Sequence, residues 1–198
     1  MYLIVGLGNP GPQYEHTRHN AGFLAAGEIA RRYSFGKPRA RFHGAFAEGV
    51  IGTEKAGILW PQTYMNESGR AVAAAQIFYK TPLRHICVLH DEIDLALGRV
   101  KAKQGGSSAG HNGLRSIDRT IGADYWRIRL GIAHPGARTV VKHYVLNEFT
   151  SAERPIAAQM FTAVASALPT LLAGDSNRFM TDVSRAVTPF LQEDSHGI

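Results

Sequence analysis

Cysteine is nearly absent from this chain, which holds a single one, Cys87, among 198 residues. One thiol excludes a disulfide scaffold and any zinc or iron–sulfur centre built from several cysteines. No uninterrupted apolar run approaches the ~18–20 residues that a membrane-spanning helix needs. The first residues, Met1 to Gly6, lack the basic leader of a signal peptide. These absences predict a cytoplasmic protein without a membrane segment.

Acidic residues are scarce in two segments of the chain, where basic residues predominate. Residues 95–143 contain nine lysines and arginines against Asp118 and Asp124, a local balance of +7 in a chain of net charge +6. A second stretch, residues 31–41, contains five basic residues and no acidic one. Such concentrations of positive charge attract polyanions, and phosphate contacts supply much of the affinity for nucleic acids. The charge pattern therefore predicts a phosphate-bearing partner.

Hydrophobic periodicity predicts strands that alternate with helices. Strands are expected at 2–7, 43–51, 56–60, 84–89, 98–104 and 126–133, and helices at 21–33, 67–79 and 112–121. Thr150 and Glu153 have the spacing of a capping box before a long helix, which Pro169 should kink or end. This order is typical of an α/β fold: a single domain, 1–198, with a mixed twisted sheet and helices on both faces. We expect a catalytic core over about 1–150 and C-terminal helices over about 151–190.

Two short motifs suggest chemistry that their surroundings do not support. Gly6-Leu7-Gly8-Asn9-Pro10-Gly11 matches the dinucleotide fingerprint, but more loop follows it and no acidic residue closes a second strand. Gly106-Ser107-Ser108-Ala109-Gly110 matches the nucleophile elbow of serine esterases, but a second glycine precedes it. We interpret that segment as a flexible loop and give Ser108 no catalytic role. Cys87, inside an apolar run, is expected to be a small core residue.

Polar residues concentrate in four segments that follow strands or open helices, namely 14–20, 63–66, 90–94 and 110–113. Sites of α/β proteins form at such positions. A histidine paired with an aspartate has one ring nitrogen held and the other free to take a proton from water. Asparagine amides, as in Asn9, Asn66 and Asn112, can donate to a carbonyl or an oxyanion. The segments together predict a functional site at which a histidine could take a proton from water.

Other functions for these side chains remain open at this stage. Asn66 and Asn112 could cap helices, and Asp91 and Asp94 could form turns. A metal ion could be bound by a subset of the histidines and carboxylates, which are His19, His90, Asp91, Glu92, Asp94 and His111. Their spacing matches no metal-binding motif, so we predict no metal.

Five motifs together resemble the bacterial-type peptidyl-tRNA hydrolases and follow that family's order over about residues 2–135. The first is the glycine-rich segment 6–11 with Tyr14-x-x-Thr17-Arg18-His19-Asn20-x-Gly22. The others are Pro61-x-Thr63-Tyr64-Met65-Asn66-x-Ser68-Gly69, His90-Asp91-Glu92-Ile93-Asp94-Leu95, Gly110-His111-Asn112-Gly113-Leu114 and Arg127-Ile128-Arg129-Leu130-Gly131-Ile132. The tail beyond residue 150 matches loosely.

The resemblance implies hydrolysis of the ester that joins a peptide to the 3′ ribose of tRNA. His19 would be the general base that activates water, and Asp91 would stabilise its working form. Asn9 would recognise the blocked, peptide-bearing nitrogen and so spare ordinary aminoacyl-tRNA. A histidine-activated water needs neither a metal nor a cofactor, because a ribose hydroxyl leaves more easily than an amine.

The resemblance also implies the substrate contacts. Tyr14, Tyr64, Asn66 and Asn112 would line the site for the tRNA 3′ end and the peptide, and Met65 and His111 would shape the cleft. Lys103 and Arg129 would grip a phosphate of the acceptor stem. The expected partner is peptidyl-tRNA, bound by a monomer. A non-catalytic RNA-binding relative is the competing hypothesis, but such a protein should have lost His19 or Asp91.

Overall fold

The computed structural model describes residues 1–193 of the chain and contains one seven-stranded sheet. The strands are β1 (Tyr2–Gly6), β2 (Arg39–Arg41), β3 (Gly44–Ile51), β4 (Glu54–Pro61), β5 (Ile86–Glu92), β6 (Val100–Gln104) and β7 (Trp126–Gly131). Their spatial order is β2-β3-β4-β1-β5-β7-β6. β1, β4, β5 and β7 run parallel, and β2, β3 and β6 pair antiparallel at the two sides, so the predicted mixed sheet is confirmed.

Strand β2 is the one strand that the sequence patterns did not predict. It has three residues, Arg39–Arg41, and pairs with the start of β3 at the sheet edge. None of the three is buried, so no hydrophobic alternation marks them. Arg41 is also not a free cation, because its guanidinium lies over the rings of Phe42 and Phe78 and donates to the Tyr79 hydroxyl.

Helices cover both faces of the sheet, as predicted. They are α1 (Ala21–Arg32), α2 (Ser68–Tyr79), α3 (Asn112–Ile121), α4 (Val141–Val145), α5 (Glu153–Leu172) and α6 (Ser176–Glu193). Alternation along β1 shows the two layers: Ile4 packs in one core with α1 and α5, whereas Leu3 and Val5 pack in the other with α2 and α3. The period of two in a strand therefore sets which helix layer each side chain meets.

Helix α1 packs unusually close to the sheet at its first turn. A methyl group at Gly22 would overlap with the backbone of Leu7 and Leu89, so only glycine fits there. The close approach brings the start of α1 against the ends of β1 and β5. The short 3₁₀ turn just before it, Arg18–Asn20, is therefore carried to the edge where the parallel strands end.

The capping box before α5 forms as expected. The Thr150 N–H donates to Glu153 Oε2 at 2.8 Å, and the Glu153 N–H donates to Thr150 Oγ1 at 3.3 Å. Pro169 does not end the helix, which continues to Leu172. Proline lacks the N–H that would bond to the Ala165 carbonyl. The Tyr33 hydroxyl donates to that carbonyl at 2.7 Å and satisfies it.

Helix α5 is long and apolar enough to cross a membrane by length and composition, with a mean hydropathy of 1.4. It packs against α1 and α6, and 61% of its most apolar stretch is buried inside the protein. That burial is the environment of a core helix, because its apolar side chains already have partners within the fold.

Candidate active site

A cleft of about 1150 Å³ opens at the carboxyl ends of the parallel strands. It brings together eight of the predicted site residues, which are Asn9, His19, Tyr64, Met65, Asn66, Asp91, His111 and Asn112. Its far side, which we call the cleft wall, is formed by residues 138–146, with Arg138, Val141, Lys142, Val145 and Leu146 lining the space. Tyr14, Lys103 and Arg129 lie outside the lining.

Asp91 and two histidines form a hydrogen-bonded group at the floor of the cleft. His19 Nδ1 lies 3.0 Å from both carboxylate oxygens of Asp91, and His111 Nε2 lies 2.8 Å from Oδ1. Asp91 belongs to β5, which runs on to Glu92, so the expectation that the strand ends at Leu89 is wrong. Pairing with β7 continues through Glu92 and holds the carboxylate on the rigid sheet rather than on a loop.

The position of His111 decides which nitrogens of this group carry protons. His111 is the N-cap of α3, and its Nδ1 accepts from the N–H groups of Gly113 and Leu114 at 3.1 and 3.4 Å. The proton of the neutral ring is therefore on Nε2, which donates to Asp91. His19 donates to the same carboxylate through Nδ1, and this leaves its Nε2 unprotonated. Asn112 is thus not the helix cap, and that alternative is wrong.

The charges at the floor favour a protonated intermediate on His19. Burial of the ring opposes protonation and is the largest single influence, but the charge and hydrogen bond of Asp91 together outweigh it. The pKa of His19 consequently lies above its ordinary value of 6.5. Burial also opposes ionisation of Asp91, yet the two histidines hold its pKa well below the usual range. Asp91 is therefore ionised at neutral pH and stabilises an imidazolium on His19.

His90 precedes Asp91 in the same motif but does not face the cleft. Its side chain is 2% exposed, its Nδ1 donates to the Asp91 carbonyl, and burial lowers its pKa to about 3. With so low a pKa the ring is a weak proton acceptor, and it lies outside the cleft lining, so His90 does not fit the role of a base. Neighbouring residues on a strand point to opposite faces, which separates His90 from Asp91.

Asn9 is oriented by two partners. Its Oδ1 accepts from the Met65 N–H at 2.8 Å, so its NH₂ group is left to donate into the cleft. Asn20 holds the Asn9 backbone by a reciprocal pair of hydrogen bonds at 2.9 and 3.0 Å. Asn20 is buried and was not predicted as a site residue. Its place directly after His19, in a turn before a helix, is the signal that could have identified it.

The remaining predicted contacts divide between floor and rim. Met65 is buried at the floor, where a methyl group on Gly113 would overlap with its sulfur. Asn66 and Asn112 are exposed in the cleft, and Tyr64 stands at its rim with 61% of its surface exposed. Such an aromatic ring is accessible for stacking on a base or ribose.

The basic residues of β6 and β7 differ in their accessibility. Lys103 is exposed, and its side chain lies against Gly106 of the loop at residues 105–110, which we call the glycine-rich loop. Arg129 is partly exposed and pairs through Nε with Glu92 Oε2 at 3.0 Å. Arg127, one of the nine basic residues of 95–143, is buried, pairs with Asp118 at 2.8 Å and donates to the Ser107 carbonyl. Its guanidinium is therefore not accessible to a phosphate.

The comparisons with known proteins agree with this geometry. The family model described as peptidyl-tRNA hydrolase matches residues 3–189. The chain belongs to the peptidyl-tRNA hydrolase family. It is 52% identical to a peptidyl-tRNA hydrolase of Azorhizobium caulinodans, over 90% of this chain and 88% of the relative. It is 53% identical to one of Methylobacterium radiotolerans, over 94% and 93%.

Solved structures show the same fold. The crystal structure of peptidyl-tRNA hydrolase from Acinetobacter baumannii superposes with a TM-score of 0.87 at 38% identity, covering 92% of this chain and 94% of that one. A peptidyl-tRNA hydrolase in complex with N-propanol gives a TM-score of 0.88 at the same identity and coverage. The chain is accordingly a peptidyl-tRNA hydrolase, a hydrolase that acts on an ester bond.

The glycine-rich segment of this hydrolase does not have the structure of a dinucleotide site. Helix α1 begins at Ala21, and two 3₁₀ turns separate it from Gly11. A dinucleotide fingerprint needs its last glycine at the start of the helix, so that the helix N-terminus meets the pyrophosphate. Here the segment instead places Asn9 in the cleft.

The thiol of the hydrolase is a core residue, as expected, and the loop around Ser108 lacks the geometry of a nucleophile elbow. Cys87 is fully buried in β5, and burial raises the pKa of its thiol to about 12. Ser108 lines the cleft, but its loop contains positive φ angles at Gly105, Gly106 and Gly110 and lacks the strand-to-helix elbow. These features are typical of a glycine loop, not of a nucleophile site.

The floor residues also resemble a metal site by proximity alone. Ligand atoms of His19, Asp91 and His111 all lie within 4.8 Å of one another. Binding a metal through His111 Nε2 would require its proton to move to Nδ1, which already accepts two backbone N–H groups. The donor set therefore fits a hydrogen-bonded relay better than a metal centre.

Proposed function

We propose that this hydrolase cleaves the ester between the peptide and the 3′ ribose of tRNA by means of a water molecule activated by His19, without a metal or another cofactor. Its substrates would be peptidyl-tRNAs released from or stalled on the ribosome, and its product would be reusable tRNA. The observation that carries the proposal is the pair of hydrogen bonds from His19 Nδ1 to Asp91, 3.0 Å each, which leaves Nε2 available as a base.

The reaction uses one proton acceptor. His19 Nε2 takes a proton from water as the water oxygen bonds to the ester carbonyl carbon, and the Asp91 carboxylate stabilises the resulting imidazolium. The carbon–oxygen bond to the ribose then breaks, and the 3′ oxygen leaves with a proton returned by the imidazolium. The products are the free 3′ hydroxyl and the carboxylic acid of the peptide, which releases its remaining proton to solvent and becomes the carboxylate. A donor such as the NH₂ group of Asn66 or Asn112 suits the developing negative charge on the carbonyl oxygen.

Asn9 would distinguish peptidyl-tRNA from aminoacyl-tRNA. Because its Oδ1 is occupied by the Met65 N–H, Asn9 presents an NH₂ donor to the cleft. The carbonyl of an acylated α-nitrogen can accept from that donor, whereas a free α-ammonium offers no acceptor and is repelled by a donor. The orientation of one amide therefore favours the blocked substrate.

The tRNA would bind across the cleft and the basic side of the sheet. Lys103 and Arg129, which lie outside the cleft lining, would hold an acceptor-stem phosphate, while Tyr14 and Tyr64 support the single-stranded 3′ end. Lys103 is exposed and Arg129 partly so, as such a contact requires. We further propose that the enzyme acts as a cytoplasmic monomer, since peptidyl-tRNA occurs in the cytoplasm and each chain carries all the residues assigned.

A single assay tests the proposal. Purified protein is incubated with N-acetyl-aminoacyl-tRNA and, separately, with aminoacyl-tRNA, each with and without EDTA. We expect release from the blocked substrate alone and the same rate with EDTA. Binding of tRNA without release would instead indicate a non-catalytic RNA-binding protein, and inhibition by EDTA would contradict metal independence.

A further inference from the structure

Arg18 is a buried arginine directly beside the base, and the mechanism proposed above does not use it. Its side chain is 6% exposed, and its Nη2 lies 2.6 Å from Glu153 Oε2. The same carboxylate oxygen accepts from the Thr150 N–H in the capping box of α5. The arginine end of this pair is therefore buried, whereas the Glu153 side chain is 23% exposed.

Arg18 also contacts the cleft wall at Tyr144 and the residue directly after the wall, Asn147. Its Nη1 donates to the carbonyls of Tyr144 and Asn147, both at 3.4 Å, and its guanidinium carbon lies 4.2 Å from the centre of the Tyr144 ring. Tyr144 belongs to α4, whose neighbours Val141 and Val145 line the cleft. The Tyr144 hydroxyl in turn donates to the Ile132 carbonyl.

The backbone at Arg18 is tied to the same segment. The Arg18 N–H donates to the Asn147 carbonyl at 3.0 Å, and Thr17 forms an isolated antiparallel bridge with Glu148. His19 is therefore anchored to residues 147–148 through the main chain, whatever side chain residue 18 carries. The guanidinium adds a separate link, from the turn that holds His19 to the back of α4 and to the start of α5.

From these contacts we infer that Arg18 is a positioning residue, which fixes the cleft wall at its distance from His19 and so prepares the cleft for substrate. A lysine cannot replace it, because one ammonium cannot bond to Glu153, contact two carbonyls and stack flat on Tyr144 at the same time. The inference rests on the proposed function, since it assumes that the peptidyl-tRNA occupies the space between His19 and residues 138–146.

The main test compares R18K with R178K in the full-length chain. Arg178 pairs through Nε with Asp182 Oδ2 at 3.7 Å on α6, away from the wall and outside both basic stretches of the sequence. In R18K the wall loses the equivalent of about one hydrogen bond that holds it in place, so KM for N-acetyl-aminoacyl-tRNA should rise about fivefold. The kcat should stay within twofold, because the main-chain anchor of His19 remains. R178K should match the wild type in both constants.

A second variant and a second measurement keep the test decisive. E153Q retains the capping acceptor but loses the charge that pairs with Arg18, so it should raise KM in the same direction by a smaller factor. Hydrogen exchange without substrate should become faster at the amides of 141–147 in R18K and E153Q, and stay unchanged at those of α2.

Each outcome has one interpretation. A merely structural role would lower the amount of folded enzyme and hence the apparent kcat, with KM and exchange at 141–147 unchanged, and that result would overturn the inference. If R18K does not fold, E153Q decides by the same two readouts. A wild-type protein that releases no peptide would refute the proposed function, whereas the exchange measurement would still test the link between Arg18 and the wall.

Discussion

The floor of the cleft and the basic side of the sheet, which carries Lys103 and Arg129, use charge in opposite ways. At the floor, Asp91 is 4% exposed and accepts from two histidines, so its ionised form is fixed by the fold. On the basic side, Lys103 extends into solvent from the exposed face of β6. A buried charge with fixed partners acts on a neighbouring proton, whereas an exposed charge acts on a distant polyanion and is screened by salt.

Arg127 and Arg129 show the same contrast within one strand. They are two residues apart on β7 and point to the same face, yet Arg127 is buried against Asp118 and the glycine-rich loop, while Arg129 is partly exposed beside Glu92. The sequence pattern treats the two as equal. The difference arises because α3 and its Asp118 cover one end of the strand and leave the other end open. Equal positions in a pattern thus need not have equal functions.

The largest expected effect is at the floor. His19→Ala should lower kcat by about 10²–10⁴-fold, the range for loss of a general base, while the affinity for tRNA stays near normal. Turnover on N-acetyl-aminoacyl-tRNA and a separate tRNA-binding titration measure the two quantities. Near-normal turnover in this variant would remove His19 from the mechanism.

The second-largest effect is expected when Asp91 loses its charge but keeps the size of its side chain. Asp91→Asn should keep the fold and reduce the rate, because the imidazolium loses its stabilising carboxylate. In the wild type, kcat/KM should fall as the pH drops through a value above 6.5, since protonated His19 cannot accept a proton. Removing the charge that raises this pKa should move the inflection to lower pH. A profile flat from pH 5 to 8 in the wild type would argue against a histidine base.

A smaller effect is expected on the basic side. Lys103→Ala and Arg129→Ala should each raise KM for intact peptidyl-tRNA and reduce its salt dependence by about one phosphate contact. Hydrolysis of a short peptidyl-nucleoside should hardly change, because that fragment lacks the phosphate. Lys55→Ala is the matched control, since Lys55 is an exposed lysine near the start of β4, at the end opposite the cleft. Equal losses on the fragment and on the whole tRNA would place Lys103 and Arg129 in the reaction centre or the fold.

The smallest effect is expected at the glycine-rich loop between the two regions. Ser108→Ala should leave kcat and KM close to those of the wild type, because in the proposed mechanism a water molecule and not a serine attacks the ester. Single-turnover hydrolysis of N-acetyl-aminoacyl-tRNA checks this, and a collapse of the rate would restore the hypothesis of a serine nucleophile.

Most of the architecture follows from the pattern of residue types along the chain. Periodicity located six of the seven strands and the main helices, because each of these elements buries one face and its apolar residues repeat accordingly. The pattern does not predict β2, because this strand is short and exposed. It also does not predict the end of β5, because the buried residues there, His90, Asp91 and Glu92, are polar and interrupt the hydrophobic run. The motifs by themselves indicate the residues of the cleft floor, His19, Asp91 and His111.

The contacts among those residues, in contrast, become apparent only in the folded protein. The proton on His111 follows from its capping of α3, the orientation of Asn9 from the Met65 N–H, and the contacts of Arg18 from residues more than a hundred positions away. Hydrogen bonds depend on distances of a few tenths of an ångström between groups that the chain brings together from remote segments. Such distances are set by packing, and for that reason a linear pattern of residue types does not contain them.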